Sequence, residues 1–150
     1  MQAESFRIDV LVNQTGTWLL PEELVTRGVM AALLGEGVQE AELSLTFVSD
    51  GEIQALNSQY FGRDRTTDVI AFSLNDPDDP ILGDVYIGCE QAQRQADDVS
   101  VSFDEELVRL AIHGTLHVLG YQHPEGEERL ESRMFLRQEE ILREVLDKPV

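Results

Sequence analysis

All three histidines of this chain stand within eleven residues, as His113, His117 and His123 in the spacing H-x3-H-x5-H. On a helix, residues four apart share a face with Cβ atoms about 5–6 Å apart, so the first two can reach one ion at the usual Zn–N distance of about 2.0–2.1 Å. His123 can join them only if the helix ends first, because six residues at 3.6 per turn rotate it by roughly 120°. Gly120 is suited to end the helix in the left-handed conformation, and Pro124 disfavours helix at His123.

The residues around this motif are mostly apolar, which suits a metal site that must control the access of water. Three neutral nitrogen donors favour zinc and also permit nickel, cobalt or copper. Three protein ligands rather than four are typical of a catalytic ion with an open position. The alternative is that these are packed core histidines. We predict one divalent metal ion, Zn²⁺ first and Ni²⁺ or another transition metal next, with the ligands His113, His117 and His123.

The charge balance limits the kind of partner. The chain has 11 Lys and Arg residues against 29 Asp and Glu, a formal charge of −18, which argues against a generic nucleic-acid binder and favours cationic partners. The single cysteine, Cys89, excludes an intrachain disulfide framework and fits a reducing compartment, where its expected role is that of a small buried residue. We find no leader segment and no apolar run near 18 residues, so the expected location is the cytoplasm, without membrane association.

The periodicity predicts the element order β-α-β-α-β-β-α-α-α in a single domain spanning residues 1–150. At this length the chain can bury a substantial core. The predicted fold is α+β, a small mixed sheet of about four strands packed with about five helices, with the metal site at the end of a central helix. The third and fourth strands, joined by the acidic turn at 75–80, are expected to be antiparallel. The elements are expected at 6–12, 21–34, 42–48, 50–60, 68–74, 82–88, 89–98 and 125–146, with a further helix after 102. Ser49 or Asp50 is expected to cap the helix at 50–60, and residues 102–105, Ser102 with Glu105, are expected to form a capping box at the start of the histidine helix.

The same histidine spacing occurs in the metzincin peptidases, whose pattern is H-E-x-x-H-x-x-G-x-x-H. Gly120 matches that pattern, but Gly114 occupies the position of the glutamate that serves as general base. A peptidase or another hydrolase that uses the same ion therefore stays as an alternative, with its proton acceptor supplied from elsewhere.

A resemblance to a known family rests on four stretches of the chain. Residues 113–123, HGTLHVLGYQH, resemble the H-G-x-L-H-L-x-G-[YH]-[DQ]-H signature of the YbeY family of bacterial rRNA-maturation endoribonucleases. Supporting stretches are 56–72, with Leu56-Asn57 and Tyr60 before RDRTTDVIAF, the strand LGDVYI at 82–87, and Met134 with EEIL at 139–142. Together they cover roughly residues 40–146.

The resemblance implies a metal-dependent, single-strand-specific endoribonuclease. Its role would be to mature the 3′ end of small-subunit ribosomal RNA and to take part in ribosome quality control. The implied ion is zinc on His113, His117 and His123. The implied partners are single-stranded rRNA, a small-subunit ribosomal protein and an assembly GTPase. A non-catalytic assembly factor with a structural metal remains an alternative.

The family's functional arginine falls at Phe61 in this chain, and its loop proline falls at Thr66. We therefore expect Arg63 to be the catalytic and phosphate-facing residue in place of that arginine, with Arg65 as a second substrate-binding residue, since such cations can neutralise charge on a reacting phosphate. An ordinary solvated loop is the alternative. The base is expected to be a carboxylate such as Asp68 or Asp84, unless a ribose 2′-hydroxyl attacks directly. The preferred alternative for both carboxylates is a structural role in hydrogen bonds at a turn and a strand edge.

Overall fold

A computed structural model describes residues 7–121 and 132–147 of the chain, and it contains four strands and five helices there. The strands are β1 (Arg7–Gln14), β2 (Glu40–Val48), β3 (Val69–Ser73) and β4 (Ile81–Gly88). The helices are α1 (Glu22–Gly35), α2 (Asp50–Phe61), α3 (Cys89–Val99), α4 (Phe103–Val118) and α5 (Arg133–Asp147). The predicted elements agree within about two residues, except that Phe6 and residues 125–131 lie outside the described residues.

The four strands form one mixed sheet in the order β1-β2-β4-β3. β1, β2 and β4 run parallel, and β3 is antiparallel to β4, with Val69 opposite Ile87 and Ser73 opposite Gly83. This confirms the α+β prediction and the antiparallel pairing through the acidic turn. β1 and β3 are the two edges of the sheet.

The two faces of the sheet are covered by different helices. On β2, Ala41, Leu43, Leu45 and Phe47 are buried in the main core, which also takes in residues of α1, α4 and α5. A smaller core, made of Val48, Ile53 and Ile70 with Leu56, Phe72 and Tyr86 around it, brings α2 against the sheet. Because strand side chains alternate between faces, Val85 and Ile87 of β4 lie in the main core, whereas Tyr86 packs against the smaller one.

α4 is the central helix of the molecule. It packs against α1, α3, α5, β3 and β4, and most of its residues are buried. A helix that is apolar on nearly all sides is expected to lie inside a protein. The contact with the sheet is unusually close: a Cβ placed on Gly83 of β4 would lie 2.6 Å from Val118 Cγ1 on α4. The histidines of α4 are therefore carried by the most enclosed element of the fold.

The observed helix cap agrees with the prediction from the sequence at α2 and differs from it at α4. Ser49 and Glu52 form a complete capping box at the start of α2. At α4, Ser102 accepts the backbone N–H of Glu105 as predicted, but the Glu105 carboxylate does not complete the box, because it binds Arg109 at 3.1 Å instead. None of the helices within 7–121 and 132–147 is both long and apolar enough to cross a bilayer.

Candidate metal centre and its flanking grooves

His113 and His117 lie one turn apart on α4, with ring centroids 4.7 Å apart and ring planes at 79°. His113 is 7 % exposed, whereas His117 is only half-buried, near the end of the helix. The two rings therefore share one face of the helix and are close enough to address a common ligand, as the i, i+4 spacing predicts.

The helix ends where the sequence predicts. Gly120 has φ of +102°, in the region that favours glycine. The N–H of Gly120 donates to His117 O and that of Tyr121 to Leu116 O, both at 3.0 Å, which is the hydrogen-bond pattern of a Schellman motif. The helix thus ends at Val118, and the chain turns away at Gly120, shortly after His117. The third predicted ligand, His123, lies outside the described residues.

A buried glutamine orients the His113 ring. Gln138 of α5 is 4 % exposed, and its Nε2 donates to Glu139 Oε2 at 2.9 Å. An ionised carboxylate only accepts hydrogen bonds, so the amide oxygen of Gln138 must be the atom 2.5 Å from His113 Nδ1. That oxygen accepts, so Nδ1 carries the proton and the lone pair of the neutral ring is on Nε2.

A backbone carbonyl orients His117 in the same way. His117 Nδ1 lies 3.0 Å from Tyr121 O, and a carbonyl can only accept. The Tyr121 hydroxyl in turn donates to Glu36 Oε1 at 2.7 Å, and Arg137 Nε donates to Glu36 Oε2 at 2.9 Å. Glu36 therefore ties the turn after α4 to α5, and the neutral His117 ring also carries its lone pair on Nε2.

An ion-pair network supports the His113 side. Arg109 donates to Glu139 Oε2 at 2.9 Å from Nε and to Glu106 Oε1 at 2.7 Å from Nη1. Gln95 of α3 donates to the second oxygen of Glu106 at 2.8 Å. Burial acts to raise the pKa of Glu139, but the hydrogen bonds from Arg109 and Gln138 outweigh it and hold that pKa below its usual range. The carboxylate that fixes Gln138 thus stays ionised.

These contacts fit a metal centre. Ligating histidines characteristically donate their other ring N–H to a carbonyl or carboxylate, which fixes the tautomer and the ring orientation. Here Gln138 and Tyr121 supply those acceptors for His113 and His117. Within 7–121 and 132–147 no group of three His, Cys, Asp or Glu side chains is arranged to hold an ion. A third protein donor such as His123 would therefore have to come from outside those ranges.

A groove of about 450 Å³ lies on the His117 side and is called here the Arg63 groove. It is lined by His117 and the exposed Arg63, by Phe61 at the end of α2, and by the edge strand β3. Asn57 holds the arginine loop, because its Nδ2 donates to Arg65 O at 3.1 Å and its own carbonyl accepts Arg63 N–H at 3.3 Å. Arg65 is exposed and does not line this groove.

A second cavity, of about 560 Å³, lies on the His113 side. Asp68, His113, Arg109 and Gln138 line it among the described residues. Asp68 Oδ1 accepts the N–H of Val69 at 2.8 Å. Asp84 lies elsewhere: its neighbour Val85 is buried against α4, so strand alternation turns the Asp84 side chain to the opposite face of the sheet. Of the two candidate carboxylates, Asp68 lines a cavity together with His113, and Asp84 lines neither cavity that His113 or His117 borders.

Sequence reasoning missed Gln138, Tyr121 and Glu36 as residues that orient the histidines. The sequence pattern around Gln138 could have indicated its role. It falls in the apolar stripe of α5 between Met134 and Ile141, both of which are buried, and a buried polar residue in such a stripe requires a specific partner. Glu36 had no such signal, since its contacts join residues 85 and 101 positions apart.

The chain is similar to one protein family, to individual proteins of that name and to a solved structure. The family model described as Endoribonuclease YbeY matches residues 19–146. A protein named Endoribonuclease YbeY from Halalkalibacterium halodurans is 44 % identical, over 89 % of this chain and 88 % of the relative. Another of that name from Bacillus subtilis is 39 % identical, over 92 % and 94 %. The solution structure of TM1509 from Thermotoga maritima matches with a TM-score of 0.62 and 27 % identity, over 91 % of this chain and 88 % of that one.

Proposed function

This chain belongs to the endoribonuclease YbeY family, and on that premise we propose that it cuts single-stranded ribosomal RNA with the help of one divalent metal ion. The enzyme class is that of the family, a nuclease. The proposed role is maturation of the 3′ end of small-subunit ribosomal RNA, together with ribosome quality control. Both described histidines, Arg63 and Asp68 fall within the matched residues 19–146.

The observation that carries the metal proposal is the pair of Nδ1 hydrogen bonds, from His113 to Gln138 and from His117 to Tyr121. Each leaves the ring's coordinating lone pair on Nε2, and we propose His123 as the third donor. A divalent ion bound there would supply Lewis-acid chemistry toward a phosphate oxygen or a water molecule. Zn²⁺ is the proposed ion because the donors are imidazoles, and Ni²⁺ is the second choice.

Arg63 is proposed to bind and neutralise the phosphate at the cut. It is exposed in the Arg63 groove with His117, and no carboxylate among the described residues forms an ion pair with it. A guanidinium that is not committed to a carboxylate can meet a phosphate with two parallel hydrogen bonds. Arg65 is proposed to contact a neighbouring phosphate, since the loop that Asn57 holds carries both arginines.

Asp68 is proposed to take the proton from the attacking oxygen, whether this oxygen belongs to water or to the ribose 2′-hydroxyl. Asp68 lines the cavity that His113 also lines, and Asp84 faces away from both histidines. A base must lie within hydrogen-bond reach of the proton it removes, so position favours Asp68 between the two carboxylates.

The net charge of −18 shapes how the enzyme meets its substrate. Exposed charges more than roughly 8–10 Å from the phosphate are screened at physiological salt, so a local arginine beside a divalent cation can outweigh them. We propose further that the acidic surface docks to a basic small-subunit ribosomal protein and that an assembly GTPase is a second partner, both in the cytoplasm. Electrostatic complementarity of this kind speeds association.

A peptidase with the same ion is disfavoured by one contact. The metzincin glutamate position is Gly114, and any Cβ there would lie 2.5 Å from Val85 Cγ1. A glutamate at this position would require the side chains of Val85 and Val69 to move.

The proposal is tested with purified protein that has been stripped with a chelator and reloaded with Zn²⁺, with metal content measured before each assay. Single-stranded RNA, duplex RNA and casein are offered to wild type, His117→Ala and the surface control Gln93→Ala on α3. We expect cutting of single-stranded RNA that stops on chelation and returns with Zn²⁺. His117→Ala should lose both metal and cutting, and Gln93→Ala should keep both.

Cutting that continues in chelator, or in a His117→Ala variant that still holds its metal, would contradict the metal proposal. Cleavage of casein with no action on RNA would favour the peptidase. Loss of folded structure on chelation, in a protein that never cuts RNA, would favour an assembly factor with a structural metal.

A further inference from the structure

We propose that Phe61, supported by Phe72, forms a stacking subsite for one unpaired base of the RNA substrate. The inference rests on the proposed function, because it takes single-stranded RNA as the ligand. It adds a residue that would select for single strands.

The Phe61 ring lies parallel to a second aromatic ring and remains exposed to solvent. It lies parallel to Phe72, at 10° between planes and 6.0 Å between centroids, while 51 % of the residue is exposed. Phe72 is itself fixed edge-on by Tyr60 at 5.1 Å and Tyr86 at 6.2 Å. An exposed ring backed by a fixed ring loses little freedom when a base stacks on it, which is the property of a binding platform.

The stacking subsite adjoins the proposed metal centre. Phe61, Arg63 and His117 line the same groove of about 450 Å³. Gly62, with φ of +65°, ends α2 between the ring and the arginine. A nucleotide in this groove would meet two groups that lie two residues apart in sequence. The flat apolar ring of Phe61 suits its base, and the cation of Arg63 suits its phosphate.

Stacking on aromatic rings is how many proteins hold single strands, because every base has a π-face and a base inside a duplex is already stacked on its neighbours. A ring beside the cleavage centre would therefore favour unpaired RNA. Stacking also needs no positive charge. It thus suits a chain with a net charge of −18 better than binding that depends on many phosphate contacts.

The test measures binding by metal-stripped protein, so it does not depend on catalysis. The probe is a single-stranded RNA oligonucleotide carrying 2-aminopurine, whose fluorescence falls when the base stacks. We expect Phe61→Leu to abolish the quenching and to weaken binding by about 5- to 140-fold, since stacking contributes about 1–3 kcal/mol per base and 1.4 kcal/mol is tenfold. Phe61→Trp should keep both.

Leu11→Ala is the matched control. Leu11 is as exposed as Phe61, at 54 %, but it lies on β1, at the other edge of the sheet, and does not line the groove. It should bind and quench within about twofold of wild type. A second measurement uses wild type alone: RNA with 4-thiouridine, irradiated on the protein, should crosslink to the peptide that contains Phe61.

The two proposals fail in different ways. If wild type cuts RNA in a chelator-sensitive way while Phe61→Leu binds and quenches normally, the stacking subsite is wrong and the proposed function stands. The same holds if Leu11→Ala is as weak as Phe61→Leu, or if the crosslink maps elsewhere. If wild type neither binds nor cuts single-stranded RNA, both proposals are wrong.

Discussion

Gly114 of α4 lies so close to Val85 of β4 that a Cβ added to the glycine would stand 2.5 Å from Val85 Cγ1. The same absent Cβ would also lie 3.1 Å from Val69 Cγ2 on β3. The residue after the first histidine is therefore one of two points, with Val118 against Gly83, where the central helix approaches the sheet most closely. Glycine is required there for space, which sets the depth at which both histidines sit.

We predict that Gly114→Ala lowers the free energy of unfolding by about 1–3 kcal/mol, the usual range for overpacking a filled core. A loss of stability would be informative, because in an exposed helix position alanine stabilises the helix by about 1 kcal/mol relative to glycine. Gly51→Ala is the matched control, since nothing lies within 4 Å of the Cβ that it adds to α2. Urea denaturation compares them, and equal stability of Gly114→Ala and wild type would refute the close contact. Adding Val85→Ala should restore part of the loss.

Gln138→Leu should weaken metal binding by about 10- to 100-fold, the range seen when a hydrogen-bond partner of a ligating histidine is removed. The reason is that His113 Nδ1 loses the acceptor that sets its tautomer. Gln138→Glu keeps an acceptor for His113 Nδ1 but loses the N–H that Gln138 donates to the Glu139 carboxylate, so it should restore only part of the affinity. Zn²⁺ affinity is measured by competition with a chelating dye, with Gln93→Leu on α3 as the surface control. An unchanged affinity in Gln138→Leu would remove Gln138 from the site.

Arg63→Ala should reduce kcat/KM on single-stranded RNA by about 10- to 100-fold, less than the loss of a fully enclosed oxyanion donor because the side chain is exposed. Arg65→Ala removes the same charge from the same loop but lies outside the groove lining, so its loss should be several-fold smaller. Metal content must be equal in both variants. If the two variants lose activity equally, bulk charge rather than position would explain the effect.

Glu36 should make the protein less stable in acid. Burial acts to raise the pKa of its carboxyl, but the hydrogen bonds from Tyr121 and Arg137 outweigh it and hold that pKa below the ordinary value of 4.5. A folded pKa below the unfolded one stabilises the protein above about pH 4.5, and this stabilisation is lost as pH falls through the folded pKa.

Glu36→Gln is therefore expected to cost roughly 1.5–3 kcal/mol at pH 7, as for hydrogen bonds to a charged group. Its deficit relative to wild type should shrink below pH 4.5. Thermal unfolding followed from pH 7 to pH 3 gives the comparison. A constant deficit over that range would show that the charge on Glu36 is not the cause.

Cys89 should resist thiol reagents in the native protein. It begins α3, where a helix N-terminus would favour a thiolate, but it is 1 % exposed, and burial, with the nearby Glu90, raises the pKa of its thiol to about 12. At pH 8 we expect slow reaction with a disulfide reagent in buffer and full reaction in guanidinium. Rapid labelling of the native protein would contradict the buried position.

Much of the fold could be predicted because the sequence patterns that indicate it involve only neighbouring residues. Alternation placed β1 and β2, a cap at Ser49 or Asp50 marked the start of α2, and the acidic turn implied the antiparallel pair. The half-formed box at Ser102 shows the limit of such reasoning. Glu105 had the right spacing, but an arginine one turn later competes for the same carboxylate.

The sequence by itself determined the histidine pair and the end of its helix, because i, i+4 geometry and the backbone freedom of Gly120 depend only on neighbouring residues. Only the tertiary structure decided which partners hold the two rings, that Asp68 rather than Asp84 shares a cavity with a histidine, and that Gly114 meets Val85. These relationships join residues that are distant in the chain, so they depend on how the helices pack on the sheet and not on any local pattern.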